Sequence, residues 1–156
     1  MIKAIMQLTH SYLWQEIMNK SSTLDFSSLV KALFSLHEAV TEFQKHNSNA
    51  FIRDASIQRF EYSYELTHKM LKRFLEMTEP SAEEIDQMSF QNLIRTGAER
   101  GLLQNSWDKW AVYRHARNLT SHTYDESKAI EVCSVIPDFL QDAQYFLAQL
   151  QSRVGK

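Results

Sequence analysis

Glycine and proline, the residues that break helices and shape tight turns, are scarce here: three glycines and two prolines in 156 residues. So few breakers leave little room for the turns of a many-stranded sheet and favour long helices. The apolar pattern agrees. Leu29, Leu33, Leu36, Val40 and Phe43 advance by alternating steps of four and three, and so do Phe60, Tyr64, Thr67, Leu71 and Phe74. Cys133, Ile136, Leu140, Ala143, Leu147 and Leu150 keep the same rhythm, starting with a three. Each set is one apolar stripe along a helix. Three inward-facing stripes describe most of a bundle, so the expected fold is all-α, an up-and-down bundle of four to five helices.

Capping chemistry suggests the boundaries. Asp25 can cap a helix running to about Asn47. A second long helix is expected from about Phe51 to Met77, stopped by Pro80. Ser81 and Glu84 have the spacing of a capping box and open a short helix. Another short helix should span Ser89 to Arg100, with Gly101 as its terminator. The next begins near Ser106 and carries Trp107 and Trp110, read as anchors of the core or of a dimer. Thr123 and Glu126 form a second capping box, so the last helix should start there and be kinked by Pro137. Residues 1–22 read as an extra amphipathic N-terminal helix outside the bundle, which would occupy 23–156.

The length corresponds to one domain. The net charge of −2 argues against coating nucleic acid or membrane with the whole surface. No apolar run approaches the ~18 residues needed to cross a bilayer. The one cysteine, Cys133, lies on a core stripe and cannot form an internal disulfide. These features suggest an intracellular, cytoplasmic protein.

Against this acidic background the segment from Trp107 to His122 stands apart. It holds Lys109, Arg114 and Arg117 against Asp108 alone, with Trp107, Trp110 and Tyr113 interleaved. Such a mixture suits phosphate and base contacts, although a solvated face with buried tryptophans would look the same. Within it, Arg117 and His122 would not share a face of an unbroken helix, since five residues rotate by roughly 140°. A helix start at Thr123 offers a way out. The preceding helix must then end near Ser121, and His122 occupies a corner between two helices. From there its ring could swing towards Arg117 and Asn118. The N-terminus of the last helix adds exposed N–H groups that favour an anion.

Each residue type has a use at such a corner. Arg117 is a permanently charged, bidentate phosphate clamp. His122 titrates near neutral pH. Asn118 can orient the imidazole or donate to an oxyanion. The Tyr124 hydroxyl, expected in the first turn of the following helix, is within reach. No metal ligands cluster beside the set, and none is needed to cleave RNA. A base removes the 2′-hydroxyl proton, the oxygen attacks the adjacent phosphate, and a cation stabilises the charge that develops. Here His122 would be base or acid and Arg117 the cation.

Arg117-Asn118, three further residues and His122 resemble the signature of the HEPN superfamily, and His122-Thr123-Tyr124 is similar to its HepT branch of toxins and nucleotidyltransferase substrate-binding proteins. Leu24 to Leu29, Arg59 to Lys69, Ile94-Arg95 through Gly101-Leu102, and the Trp107/Trp110 region extend the resemblance over about residues 24 to 152. It implies a bundle that dimerises, with Arg117 and His122 of both protomers lining one cleft at the two-fold axis. It implies metal-independent RNA cleavage and a small nucleotidyltransferase of the MNT type as antitoxin. Such partners transfer AMP to the tyrosine of the His-x-Tyr motif, here Tyr124. ATP and magnesium would belong to that partner, so this chain is expected to carry no cofactor. Within the family, some members are expected only to present substrate to the nucleotidyltransferase. A plain helical adaptor, with a merely packed corner, is a third reading.

Secondary candidates come from the second helix and the basic segment. Glu61, Glu65 and Lys69 recur every four residues and read as a surface ion-pair ladder, with Glu65 the one that could also line the cleft. Arg114 is either a second phosphate contact or a partner for Asp108. His68 is expected at the surface and His115 on the far side from Arg117.

Overall fold

The computed structural model describes residues 24–154. The expected N-terminal helix over 1–22 lies outside the described residues. Among these there are six α-helices: α1 (Ser27–Lys45), α2 (Ala50–Thr78), α3 (Ala82–Asp86), α4 (Phe90–Glu99), α5 (Trp107–Leu119) and α6 (Glu126–Arg153), with a 3-10 turn over Thr120–His122 between the last two. The long helices α1, α2 and α6 pack on one another, α5 packs along α6, and the short α3 and α4 close one side against α2 and α5.

The three stripes face the core. Leu29, Leu33, Leu36 and Val40 are buried on α1; Phe60, Tyr64, Thr67, Leu71 and Phe74 on α2; Cys133, Ile136, Leu140, Ala143 and Leu150 on α6. Phe139 of α6 stands at the centre of an aromatic cluster, meeting Phe60 at 5.1 Å, Tyr113 at 5.7 Å and Trp110 at 6.1 Å between ring centroids, all near edge-to-face. Such pairs contribute about 0.5–1.5 kcal/mol each beyond the area they bury, so the cluster ties α2, α5 and α6 together. Small residues let α1 approach α2: the hydroxyls of Ser56 and Ser63 donate to Ala39 O and Ala32 O, both at 3.3 Å.

Local signals place most helix ends. Ser81 Oγ accepts from Glu84 N and Ser89 Oγ from Asn92 N. Gly101, at φ +72°, ends the turn after α4, a conformation that a side chain resists. Asn49 caps α2, accepting from Phe51 N and Ile52 N. Asp25 does accept from Ser27 N at 2.9 Å, but the helix closes at Lys45, not Asn47. The α6 helix continues through Pro137.

The start of α6 corrects the sequence reading. Its N-cap is Asp125, not Thr123. The Asp125 carboxylate accepts from both the hydroxyl and the amide of Ser127, at 2.7 and 3.0 Å, and these bonds hold it below the usual carboxylate range. Thr123 instead donates its hydroxyl to Thr120 O at 3.2 Å, which leaves it no part in the cap. Tyr124 therefore precedes the helix and does not lie in its first turn.

Candidate active site

The α5 helix carries the basic segment, and a buried carboxylate locks its position. Asp142 of α6 is only 3% exposed, yet it accepts from the Tyr113 hydroxyl at 2.5 Å and from Asn105 Nδ2 at 2.8 Å. Burial, followed by this bond, pushes the Tyr113 phenol well above its ordinary pKa, so it stays a donor. With Tyr113 pinned inward, the helical period turns Arg114, Arg117 and Asn118 towards α2.

Across from them, α2 presents Glu61, Glu65 and His68, also at helical spacing. Arg117 bridges the two elements. Its Nε donates to Glu65 Oε1 at 2.9 Å, its Nη2 lies 3.3 Å from Glu61 Oε1, and its Nη1 donates to Thr120 Oγ1 at 3.2 Å. Glu61 and Glu65 thus reach across to Arg117 and do not form the expected ladder with Lys69. The guanidinium is held through all three of its nitrogens, so an oxyanion would reach it by displacing one of the two carboxylates.

Between the two helices lies an open cavity of about 260 Å³, lined by Tyr64, Glu65, His68, Phe90, Arg114, Arg117 and Asn118. Arg114 does not pair with Asp108; its guanidinium sits 5.2 Å above the Phe90 ring centroid. His68 is half-buried, not a surface residue, and meets Phe90 edge-on at 4.6 Å. Desolvation is the main cause that lowers the His68 pKa, with Glu65 opposing it and Lys72 and Arg114 adding to it. Tyr64 beneath is buried, which raises its phenol above the ordinary value.

His122 and Tyr124 stand apart from that lining. His122 ends the 3-10 turn and is exposed, and its ring lies 6.2 Å from that of Tyr124, which is 87% exposed. The expected corner exists, because the 3-10 turn breaks the helical rotation after Leu119. Arg117 and Asn118 line the cavity, and His122 is not among its lining residues. His115 pairs with Glu131 of α6 at 3.1 Å, away from the groove.

Sequence reasoning missed His68 and Phe90 as members of the site. A larger cleft of about 500 Å³ lies beside Asn49, Arg53, Glu126 and Cys133, but it holds none of the motif residues. Arg53 there is already bonded to Asp54 at 3.2 Å, and burial pushes the Cys133 thiol up to about 11, so it offers no ready nucleophile. Among the described residues, no three His, Cys, Asp or Glu side chains gather as metal ligands, and no helix is long and apolar enough to cross a membrane.

Known proteins share this architecture. The family described as nucleotidyltransferase substrate binding protein like matches residues 24–152. A Haemophilus influenzae protein described as a probable ribonuclease HepT is 35% identical over 138 residues, which span 83% of this chain and 94% of that protein. A solved Haemophilus influenzae structure, described as revealing the fold of a substrate binding domain of a nucleotidyltransferase, has 33% identity and a TM-score of 0.76. That superposition covers 81% of this chain and 99% of the other. The match spans the whole bundle, groove and corner included, and the chain therefore belongs to the HepT-like family of nucleotidyltransferase substrate-binding proteins.

Proposed function

We propose that this protein is the toxin of a HEPN/MNT toxin–antitoxin pair and acts as a homodimeric, metal-independent endoribonuclease. The observation that carries the reading is the placement of Arg117: a guanidinium fixed at the mouth of an open groove, one 3-10 turn away from an exposed imidazole and an exposed phenol. In one chain, the groove is lined by Arg117 and Asn118 but not by His122. Two chains meeting at this face would offer two guanidiniums and two imidazoles to one cleft, which supplies both an acid and a base. One imidazole takes the 2′-hydroxyl proton, the 2′-oxygen attacks phosphorus, the bond to the 5′-oxygen breaks, and the second imidazole protonates that oxygen. Arg117, with Asn118 beside it, stabilises the charge on the phosphate oxygens.

Tyr124 is the acceptor through which the partner nucleotidyltransferase silences the site. Its oxygen attacks the α-phosphorus of ATP, pyrophosphate leaves, and the phenolic proton is lost. The resulting AMP, bulky and anionic, stands beside His122 and excludes RNA. The exposure of Tyr124 ahead of the α6 N-cap suits such access.

A second reading, a non-catalytic subunit that presents substrate to the nucleotidyltransferase, is favoured by one observation. The charge of Arg117 is already met by Glu61 and Glu65, so the empty groove is not strongly cationic. Expression of the chain alone separates the two. The toxin reading expects growth arrest and RNA decay that His122→Ala abolishes and co-expressed nucleotidyltransferase suppresses. Normal growth with intact RNA overturns it in favour of the second.

A further inference from the structure

The half-buried imidazole of His68 has no place in the chemistry above, although it lines the same groove as Arg114 and Arg117. We propose that His68, Arg114 and Arg117 form a three-pronged phosphate site in which seating of the phosphate is coupled to protonation of the imidazole. The inference rests on reading the groove as a phosphate site, not on cleavage.

Three features of the groove lead to it. First, Phe90 is a fixed platform: His68 meets its edge at 4.6 Å and Arg114 covers its face at 5.2 Å, so imidazole and guanidinium are held against one ring. Second, Arg117 enters from the same helix as Arg114, one turn on, which puts two cations on one wall and the imidazole on the other. Third, charges of both signs surround His68. On its own helix it faces Glu65, which favours the imidazolium, and Lys72, which opposes it; Arg114 of α5 opposes it, and α4 contributes the uncharged Phe90. Lys72 is itself bonded to Asp86 at 2.6 Å. In the empty groove burial is the largest influence and lowers the pKa of the ring, which favours the neutral imidazole at pH 7.

A phosphate changes the balance in two ways. Its own charge favours the imidazolium directly. It also takes the place of Glu65 on Arg117, and the freed carboxylate lies three residues before His68 on the same helix face. Both effects draw a proton onto the ring.

Calorimetry at pH 7, run in two buffers of different ionisation enthalpy, reads the protons taken up on binding. The probes are inorganic phosphate and a 2′-O-methyl RNA oligonucleotide, which cannot be cut by 2′-oxygen attack. The uptake by wild type should exceed that by His68→Gln by about one proton per phosphate seated, a difference from which the titration of the probe itself cancels. His68→Phe, which preserves the aromatic contact with Phe90, guards against a folding artefact in the glutamine variant. Uptake with the oligonucleotide alone assigns the site to strand phosphates, and uptake with inorganic phosphate assigns it to free or terminal ones. The same proton uptake in wild type and in both His68 variants, or no binding of either probe, overturns the inference. Uptake at His68 in a protein that cuts no RNA would sustain it while the ribonuclease reading falls; RNA cutting without uptake would do the reverse.

Discussion

Replacing Glu65 with glutamine keeps the length of the side chain but removes the charge that holds Arg117 Nε at 2.9 Å. The pair is partly exposed, with 27% of the Arg117 side chain and 55% of that of Glu65 open to solvent, so its contribution belongs to the ordinary surface range of about 0.2–1 kcal/mol. Glu61 still reaches Nη2 at 3.3 Å, and Thr120 still takes Nη1, so the helix pairing should survive with a stability loss of no more than about 1 kcal/mol. The same energy opposes any oxyanion that must displace Glu65. Glu65→Gln should therefore tighten binding of a 2′-O-methyl RNA oligonucleotide by about two- to fivefold, the fold-change that corresponds to about 0.4–1 kcal/mol. Fluorescence anisotropy at low salt and again at about 0.5 M salt measures it, and the gain should shrink at high salt as screening weakens both competitors. Weaker binding in the variant would refute the reasoning, since it would mean that Glu65 positions Arg117 for the ligand or touches the ligand itself.

Three further outcomes are expected. Asp142→Ala leaves the buried Tyr113 hydroxyl and the Asn105 amide without their partner, and should cost about 3 kcal/mol, read as a lower urea midpoint. His68 binds its proton less readily in the fold than at its ordinary pKa of 6.5; the unfolded chain takes up a proton that the folded one refuses, so stability falls as pH drops from 7 through 6.5, and His68→Gln should flatten that part of the urea-midpoint profile. Tyr124→Phe should leave the melting temperature unchanged, given its exposure, and abolish the AMP adduct detected by mass spectrometry after incubation with the cognate nucleotidyltransferase and ATP.

What the sequence disclosed is what depends on near neighbours. The stripes on α1, α2 and α6 were legible because a buried helix face repeats at 3.6 residues, whatever it packs against. Ser81, Ser89 and Gly101 were legible because each acts on backbone atoms within a few residues. The capping box at Thr123 and Glu126 had the right spacing and still lost to Asp125, whose carboxylate satisfies both the amide and the hydroxyl of Ser127. Local spacing lists the possible caps without ranking them. Of the groove, Arg117, Asn118, Glu65 and Arg114 were legible as candidates, while His68 and Phe90 and the way the helices bring all of them together were not. Its partners Arg117 and Glu65 are 52 residues apart, and Phe90 joins them from a third helix, so the choice of Glu65 for Arg117 over Lys69 is a tertiary one. His68 looked like a surface residue because the group that meets its ring, Phe90, comes from another helix 22 residues on.

The most direct test is the chemistry of the RNA ends. Purified protein is incubated with a defined RNA in excess EDTA, and the fragments are sequenced with their termini identified. Attack by the 2′-oxygen predicts 2′,3′-cyclic phosphate and 5′-hydroxyl ends from wild type and uncut RNA from Arg117→Ala and His122→Ala of unchanged helix content. Fragments bearing 5′-phosphate, equal cutting by the variants, or RNA left whole by the wild type would contradict the account.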